Sequence, residues 1–334
     1  MPPFSRPAAL CLALLTASPA PADPGWSEAA ALPSPRQEIY ATTLGGLIYT
    51  GGGLAERASV VRDDFLAYDP ETDAWQSLAP LPAARHHITF TALGETIYAV
   101  GGFSGGFPDW RPEGSVWAYD IAAGSWSALA GLPVARGEHV AAAVGAKLYV
   151  IGGRVGATAA AASFGEHRDT ARVDIFDPET GAWSRGIDAP TARNSAASAV
   201  IDGRIYVVGG RQFIGRQGSA ANVNLATLEV FDPATGFWSV LAPMPQAAGG
   251  LGAAALDGKL YVFGGEQWVP EQAVFAEAWV YDPPTDTWEA LPDLALARHG
   301  VAGAAIGGRL HAIGGASETG AGDVAAHEVL TLQP

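Results

Sequence analysis

Six tryptophans, Trp26, Trp75, Trp126, Trp183, Trp238 and Trp288, head six copies of one pattern whose internal offsets do not vary. Ten residues after each stands Arg36, Arg85, Arg136, Arg193, Ala248 or Arg298. Thirteen further on come Tyr49, Tyr98, Tyr149, Tyr206, Tyr261 and His311, and three beyond those begin the glycine pairs at Gly52, Gly101, Gly152, Gly209, Gly264 and Gly314. Asp69, Asp120, Asp177, Asp232 and Asp282 each precede the next tryptophan by six. A period of about 50 residues kept over a whole chain restricts the fold to an array of equivalent units, each burying its apolar face against its neighbours.

Within a copy, the segment from the Arg position to the glycine pair holds two apolar runs joined by a Gly-containing turn, such as Asp202-Gly203 or Asp257-Gly258. That is a hairpin signal. The second half, as in "VDIFDPETGAW", reads as a strand, a turn opened by Asp and Pro, and a Trp-bearing strand. Each copy is therefore expected to be a four-stranded antiparallel meander, and no segment has the period of a long helix.

The Gly-Gly doublet, the Tyr before it and the Trp after a "YDP"-like turn resemble Kelch repeats, over essentially all of the chain after the first 22 residues. The resemblance implies an all-β, six-bladed Kelch-type β-propeller over 23–334 with its first strands around a central channel. The Ala-rich first strands ("SAASAV", "VAAAV", "GAAAL") fit crowding near an axis. The sixth copy shows three strands, ending in "HEVLTL", and "GWSEAAAL" near the amino terminus is expected to be its fourth. Closing the last blade with the N-terminal strand leaves no open edge and makes a monomer the expectation.

Residues 1–22 read as an export signal: Arg6 near the start, an apolar run Ala8 to Ala17, and small residues at Ala20 to Ala22. A periplasmic or secreted protein is expected, with no membrane span, since the apolar run is too short to cross a bilayer. A formal net charge of −15 argues against nucleic acid as a partner. The single cysteine, Cys11, falls inside the signal. The processed chain then lacks the thiol that the copper and Tyr-Cys chemistry of galactose oxidase, a Kelch propeller, requires; no cofactor and no metal are expected.

All length variation between copies falls between the glycine pair and the Asp, in the loop between strands 2 and 3. In a four-stranded meander these loops share one face with the blade-to-blade connections, so they and the Arg positions should surround one mouth of the channel. The ring arginines Arg36, Arg85, Arg136, Arg193 and Arg298 are candidates there, and in some Kelch proteins arginines at this place bind acidic peptides. Residues that break the repeat are more telling. Arg154, Arg211 and Glu266 directly follow glycine pairs; His86, Asn194 and His299 directly follow ring arginines; His139 lies three past Arg136; and Trp110 and Trp268 lie in the variable loops. Glu266 belongs to the copy whose ring position is Ala248.

A locally basic mouth with aromatic faces points to an anionic or carbohydrate small ligand, or a peptide. The reading favoured is a ligand- or protein-binding module with its site at this mouth. The alternative is a sugar isomerase of the kind found among exported six-bladed Kelch propellers, the N-acetylneuraminate epimerases. There Arg211 or Arg154 would hold a carboxylate, and Glu266, the candidate catalytic residue, would move protons.

Overall fold

A computed structural model describes residues 25–214 and 221–332. The segment 1–22, read above as an export signal, lies outside the described residues. Blade 4 shows how the repeat folds. Its strands, Ala197–Ile201, Arg204–Val208, Leu228–Asp232 and Phe237–Leu241, pair antiparallel in chain order. The first turn holds Asp202 at φ 49° and Gly203 at φ 73°, the paired positive φ values of the hairpin turn that matches strand twist.

Six such four-stranded sheets are present, and their first strands neighbour one another in a closed circle. The molecule is a six-bladed β-propeller. Blade 6 is completed by the amino-terminal strand Ser27–Glu28, which pairs antiparallel with His327–Thr331. Among the described residues there is no α-helix, and no helix is long and apolar enough to cross a membrane.

Two repeat features join the blades. Each repeat Trp donates its indole N–H across the gap to a backbone carbonyl of the neighbouring blade, from Trp26 to Pro292 O at 2.8 Å through Trp238 to Ile187 O at 3.1 Å. The rings also pack on the strand-3 aromatics Tyr68, Tyr119, Phe176, Phe231 and Tyr281. Nearer the axis, the second Gly of every pair donates its N–H to the carbonyl of the next blade's ring position. The series runs from Gly53 to Arg85 O (2.8 Å) to Gly315 to Arg36 O (2.9 Å), closing the circle. A Cβ on the first Gly would sit 2.4 Å from Arg85 O at Gly52 and 2.4 Å from Arg298 O at Gly264. The doublet is thus the seam between blades.

The variable loops fold into small secondary sheets over the same mouth. In every blade the residue after the ring position bridges to the residue after the glycine pair: Gln37 with Leu54, His86 with Phe103, Gly137 with Arg154, Asn194 with Arg211, Gly249 with Glu266 and His299 with Ala316.

Candidate functional site

The ring arginines turn into the blades. Arg36 pairs with Asp64, Arg85 with Glu113, Arg136 with Asp174, Arg193 with Glu229 and Arg298 with Glu328. Backbone carbonyls take further donors, as with Arg136 to Val150 O (3.1 Å) and Arg298 to Ala312 O (2.9 Å). Burial disfavours the charges of Arg85, Arg136, Arg193 and Arg298, but every ring arginine has its acid. The basic mouth expected from five arginines therefore does not form. In blade 5 the ring position is the buried Ala248, packed in a hydrophobic cluster with Met244, Leu251 and the part-buried Trp279.

Two residues past each ring position the chain enters the left-handed region: Glu38 (φ 57°), His87 (φ 50°), Glu138 (φ 54°), Ser195 (φ 49°), Gly250 (φ 69°) and Gly300 (φ 58°). Five backbone bonds link these six residues around the axis, from His87 N to Glu38 O (3.1 Å) to Glu38 N to Gly300 O (2.9 Å). Glycine is at ease there; Glu, His, Glu and Ser cost roughly 1–2 kcal/mol each. Four blades keep this strained conformation with a side chain where two use Gly. Sequence reasoning did not place Glu38, His87 or Glu138 among the ligand-binding residues, although a Gly-compatible position filled by Glu-His-Glu was a visible signal.

Together with residues that follow the glycine pairs, these side chains form a chain of alternating basic and acidic groups. Arg154 Nε lies 3.6 Å from Glu138 Oε2, and His87 Nε2 lies 3.5 Å from Glu138 Oε1 and 2.9 Å from Glu38 Oε2. His299 lies 3.4 Å from both Glu38 Oε1, through Nδ1, and Glu266 Oε2, through Nε2. Arg211 closes on Glu266 Oε1 at 2.5 Å. Asp169, held by Asn194 at 2.8 Å, feels both end arginines; its burial raises its pKa above the usual carboxylate range despite them. All six blades contribute to this circuit.

The electrostatics follow from burial and pairing. Burial raises the pKa of Glu38, but His87 and His299 outweigh it and hold the carboxyl well below its ordinary range. Burial disfavours the His299 imidazolium, yet the carboxylates of Glu266 and Glu38 raise its pKa. His86 is held neutral by burial and by His87; its Nε2 donates to Gly105 O (3.0 Å) and its Nδ1 meets His87 Nδ1 at 2.6 Å. His139 is likewise neutral through burial, against Thr89 Oγ1 at 2.9 Å.

Over this floor lies a cavity of about 250 Å³, walled by Trp110, Phe107, Phe164 and Trp268 and floored by Glu38, His87, Glu138, Arg211 and Glu266. Trp268 Nε1 donates to Glu266 Oε1 at 3.0 Å, and Gly320 N to Glu266 Oε2 at 3.0 Å. Five buried polar atoms of lining residues, Gln37 Nε2, Trp110 Nε1, Glu138 Oε2, Arg211 Nε and Asn222 Oδ1, have no hydrogen-bond partner among the described residues. Arg154 is within ion-pair reach of Glu138 Oε2 but stacks its guanidinium on Phe164 at 4.1 Å. Glu38, Glu266 and His299 have metal-ligand spacing, with Arg211, Trp268 and Gly320 already donating to both Glu266 oxygens. Below the floor, the channel is lined by small side chains such as Ala41, Thr91, Ala141, Ser198 and Ala254, with no charged side chain in the lining among the described residues.

Of the residues singled out in the sequence, Arg211, Glu266 and Trp268 line the cavity, Arg154 and His299 stand directly behind it, and Asn194 braces the circuit. His86 and His139 are packed beneath. Arg36, Arg85, Arg136, Arg193 and Arg298 are in the walls.

The Kelch-repeats domain described for KLHDC2, KLHL20 and DRC7 matches residues 80–247, and the Kelch motif matches 41–82 and 247–295. The chain belongs to the Kelch-repeat family. It is 32% identical to Kelch repeat and BTB domain-containing protein 13 of Homo sapiens, over 46% of this chain and 32% of that protein. It is 30% identical to Kelch-like protein 35 of Mus musculus over 48% of this chain and 24% of the relative, and 34% identical to Kelch-like protein terF of Aspergillus terreus over 42% and 31%. These matches span a quarter to a third of each relative. The solved structure of YjhT superposes with a TM-score of 0.75 at 18% identity, covering 92% of this chain and 98% of that one, a likeness of fold.

Proposed function

We propose that this Kelch propeller is an exported binding module that holds a small polyhydroxylated ligand, a sugar, in the mouth cavity. One observation carries the reading. Residues that line one cavity carry buried donors (Gln37, Trp110, Arg211) and buried acceptor oxygens (Glu138, Asn222) without hydrogen-bond partners among the described residues, and a sugar hydroxyl both donates and accepts. Aromatic faces of Trp110 and Trp268 suit the apolar side of a sugar ring, and the volume suits one or two rings. Because each ring arginine is already matched by an acid, the anionic preference drops out of the proposal. A glycan array and calorimetry on the hits test it: affinity should fall at least tenfold in Arg211→Ala and in Trp268→Ala. Hits bound equally well by both variants would place the site elsewhere.

A second reading is favoured by Glu266, an acid with Arg211 beside it at the cavity floor. Here the bound sugar interconverts between anomers, as in the exported Kelch propellers that act on N-acetylneuraminate. NMR of freshly dissolved single anomers should show faster equilibration with the protein, abolished in Glu266→Gln. Unchanged equilibration ends this reading and leaves binding standing.

A further inference from the structure

His299 is fully buried, lines no part of the cavity, and touches two carboxylates that do. Its tautomer is fixed by its surroundings. Nε2 lies 3.0 Å from the carbonyl of Glu318, which can only accept, so Nε2 carries a proton. Nδ1 lies 3.4 Å from Glu38 Oε1, within ion-pair reach, and makes no hydrogen bond among the described residues. A lone pair there would face a carboxylate, so Nδ1 carries a proton as well. The ring is an imidazolium wedged between Glu38 and Glu266, with Arg211 the charge opposing it.

We propose that His299 is a proton reservoir that couples Glu38 and Glu266 into one acid–base pair, acting on the anomeric centre of a bound reducing sugar. This rests on the anomer-interconversion reading above. Glu266 takes the proton of the anomeric hydroxyl as the bond from that carbon to the ring oxygen breaks and the O–H electron pair becomes the new carbonyl. The His299 Nδ1 proton passes to Glu38 and from it to the ring oxygen. One proton is removed and one delivered, so the site's charge is unchanged, and ring closure on the other carbonyl face runs the same transfers backwards. The two halves are linked electrostatically. When Glu266 becomes neutral, the imidazolium loses the charge that holds it and gives up its proton more readily. His299 itself is a positioning residue, and Glu38 and Glu266 would touch the sugar.

The experiment uses the full chain with three probes: α-D-glucose, α-D-galactose and crystalline N-acetylneuraminic acid, each freshly dissolved and followed by NMR across pH 5–9. Acceleration of at least one probe is expected. His299→Gln should slow it on the order of 100-fold, with unchanged probe affinity and with the alkaline limb of the pH–rate profile removed. Acceleration that survives in His299→Gln with the same pH profile overturns the relay while leaving the isomerase reading intact; no acceleration by the unaltered protein overturns both. Nitrogen NMR of the free protein gives a ligand-independent check. Both His299 nitrogens should be protonated at neutral pH, and Glu266→Gln should lower the pH at which one is lost. A singly protonated ring at neutral pH overturns the relay whatever the sugars do.

Discussion

Arg193 shows how one repeated residue type can serve two ends. At the ring position its side chain is buried, 2.5 Å from a Glu229 that is equally buried, and it satisfies Gly209 O and Thr227 O. At the glycine-pair position the same residue type, as Arg211, reaches the cavity floor. The difference predicts different losses. Arg193→Ala leaves Glu229 buried with only Thr191 as a side-chain partner and should cost about 3–5 kcal/mol of stability, read by urea unfolding. The folded fraction should bind its sugar as before. Arg211→Ala also removes a buried partner, but Glu266 keeps the Trp268 and Gly320 donors, so the stability loss should be smaller than in Arg193→Ala and the loss of affinity large. A similar contrast holds at Gly249, where a Cβ would meet Arg211 Cγ at 2.5 Å. Gly249→Ala should push Arg211 off Glu266 and weaken binding as much as removing the guanidinium does.

The amino-terminal strand, Ser27–Glu28, meets the last blade beside a histidine pair. His311 stands where other copies have Tyr, and its Nδ1 lies 2.9 Å from His327 Nε2; His327 Nδ1 donates to Ala30 O at 3.1 Å. Burial lowers both pKa values, and their mutual repulsion lowers His311 further, to about 3 against about 4 for His327. Both are neutral when folded and titrate near 6.5 when unfolded. The unfolded chain binds more protons below that value, so stability is full above about pH 6.5 and declines as pH falls toward 4. The seam should therefore loosen first on acidification. Hydrogen exchange at Ala29 and Leu32, which donate to His327 O and Ala325 O, should accelerate between pH 7 and pH 4.5 ahead of blades 2 to 5. His327→Val, which restores an apolar residue at the start of strand 3, should flatten that dependence. Uniform exchange across all six blades would contradict the account.

At the scale of the molecule, closure is what removes exposed sheet edges. Deleting residues 1–32 would strip the pairing partner from His327–Thr331 and the Trp26 contacts with Phe263 and Pro292. Light scattering on the truncated chain should show self-association, whereas the full chain should run as a monomer. A truncated chain that remains monomeric and folded would mean that the seam adds little.

The strict offsets of Trp, Arg, Tyr and Gly-Gly were enough, without coordinates, to establish the blade, the number of copies, the closing strand and the face that carries the variable loops. Each of these depends on local pattern and period, which a sequence displays directly. Arg154, Arg211, Glu266, His299 and Trp268 were legible as breaks in the repeat for the same reason. The sequence could not show which way a guanidinium turns. Arg36 and Arg211 are the same residue type near the same mouth, and only the packed structure directs one to Asp64 inside a blade and the other to Glu266 at the cavity. Nor could spacing join Glu38, His87, Glu138 and His299, which are up to 261 residues apart in the chain. The circular closure of the blades brings them within a few ångströms, and their charges have meaning only once burial has removed the water between them.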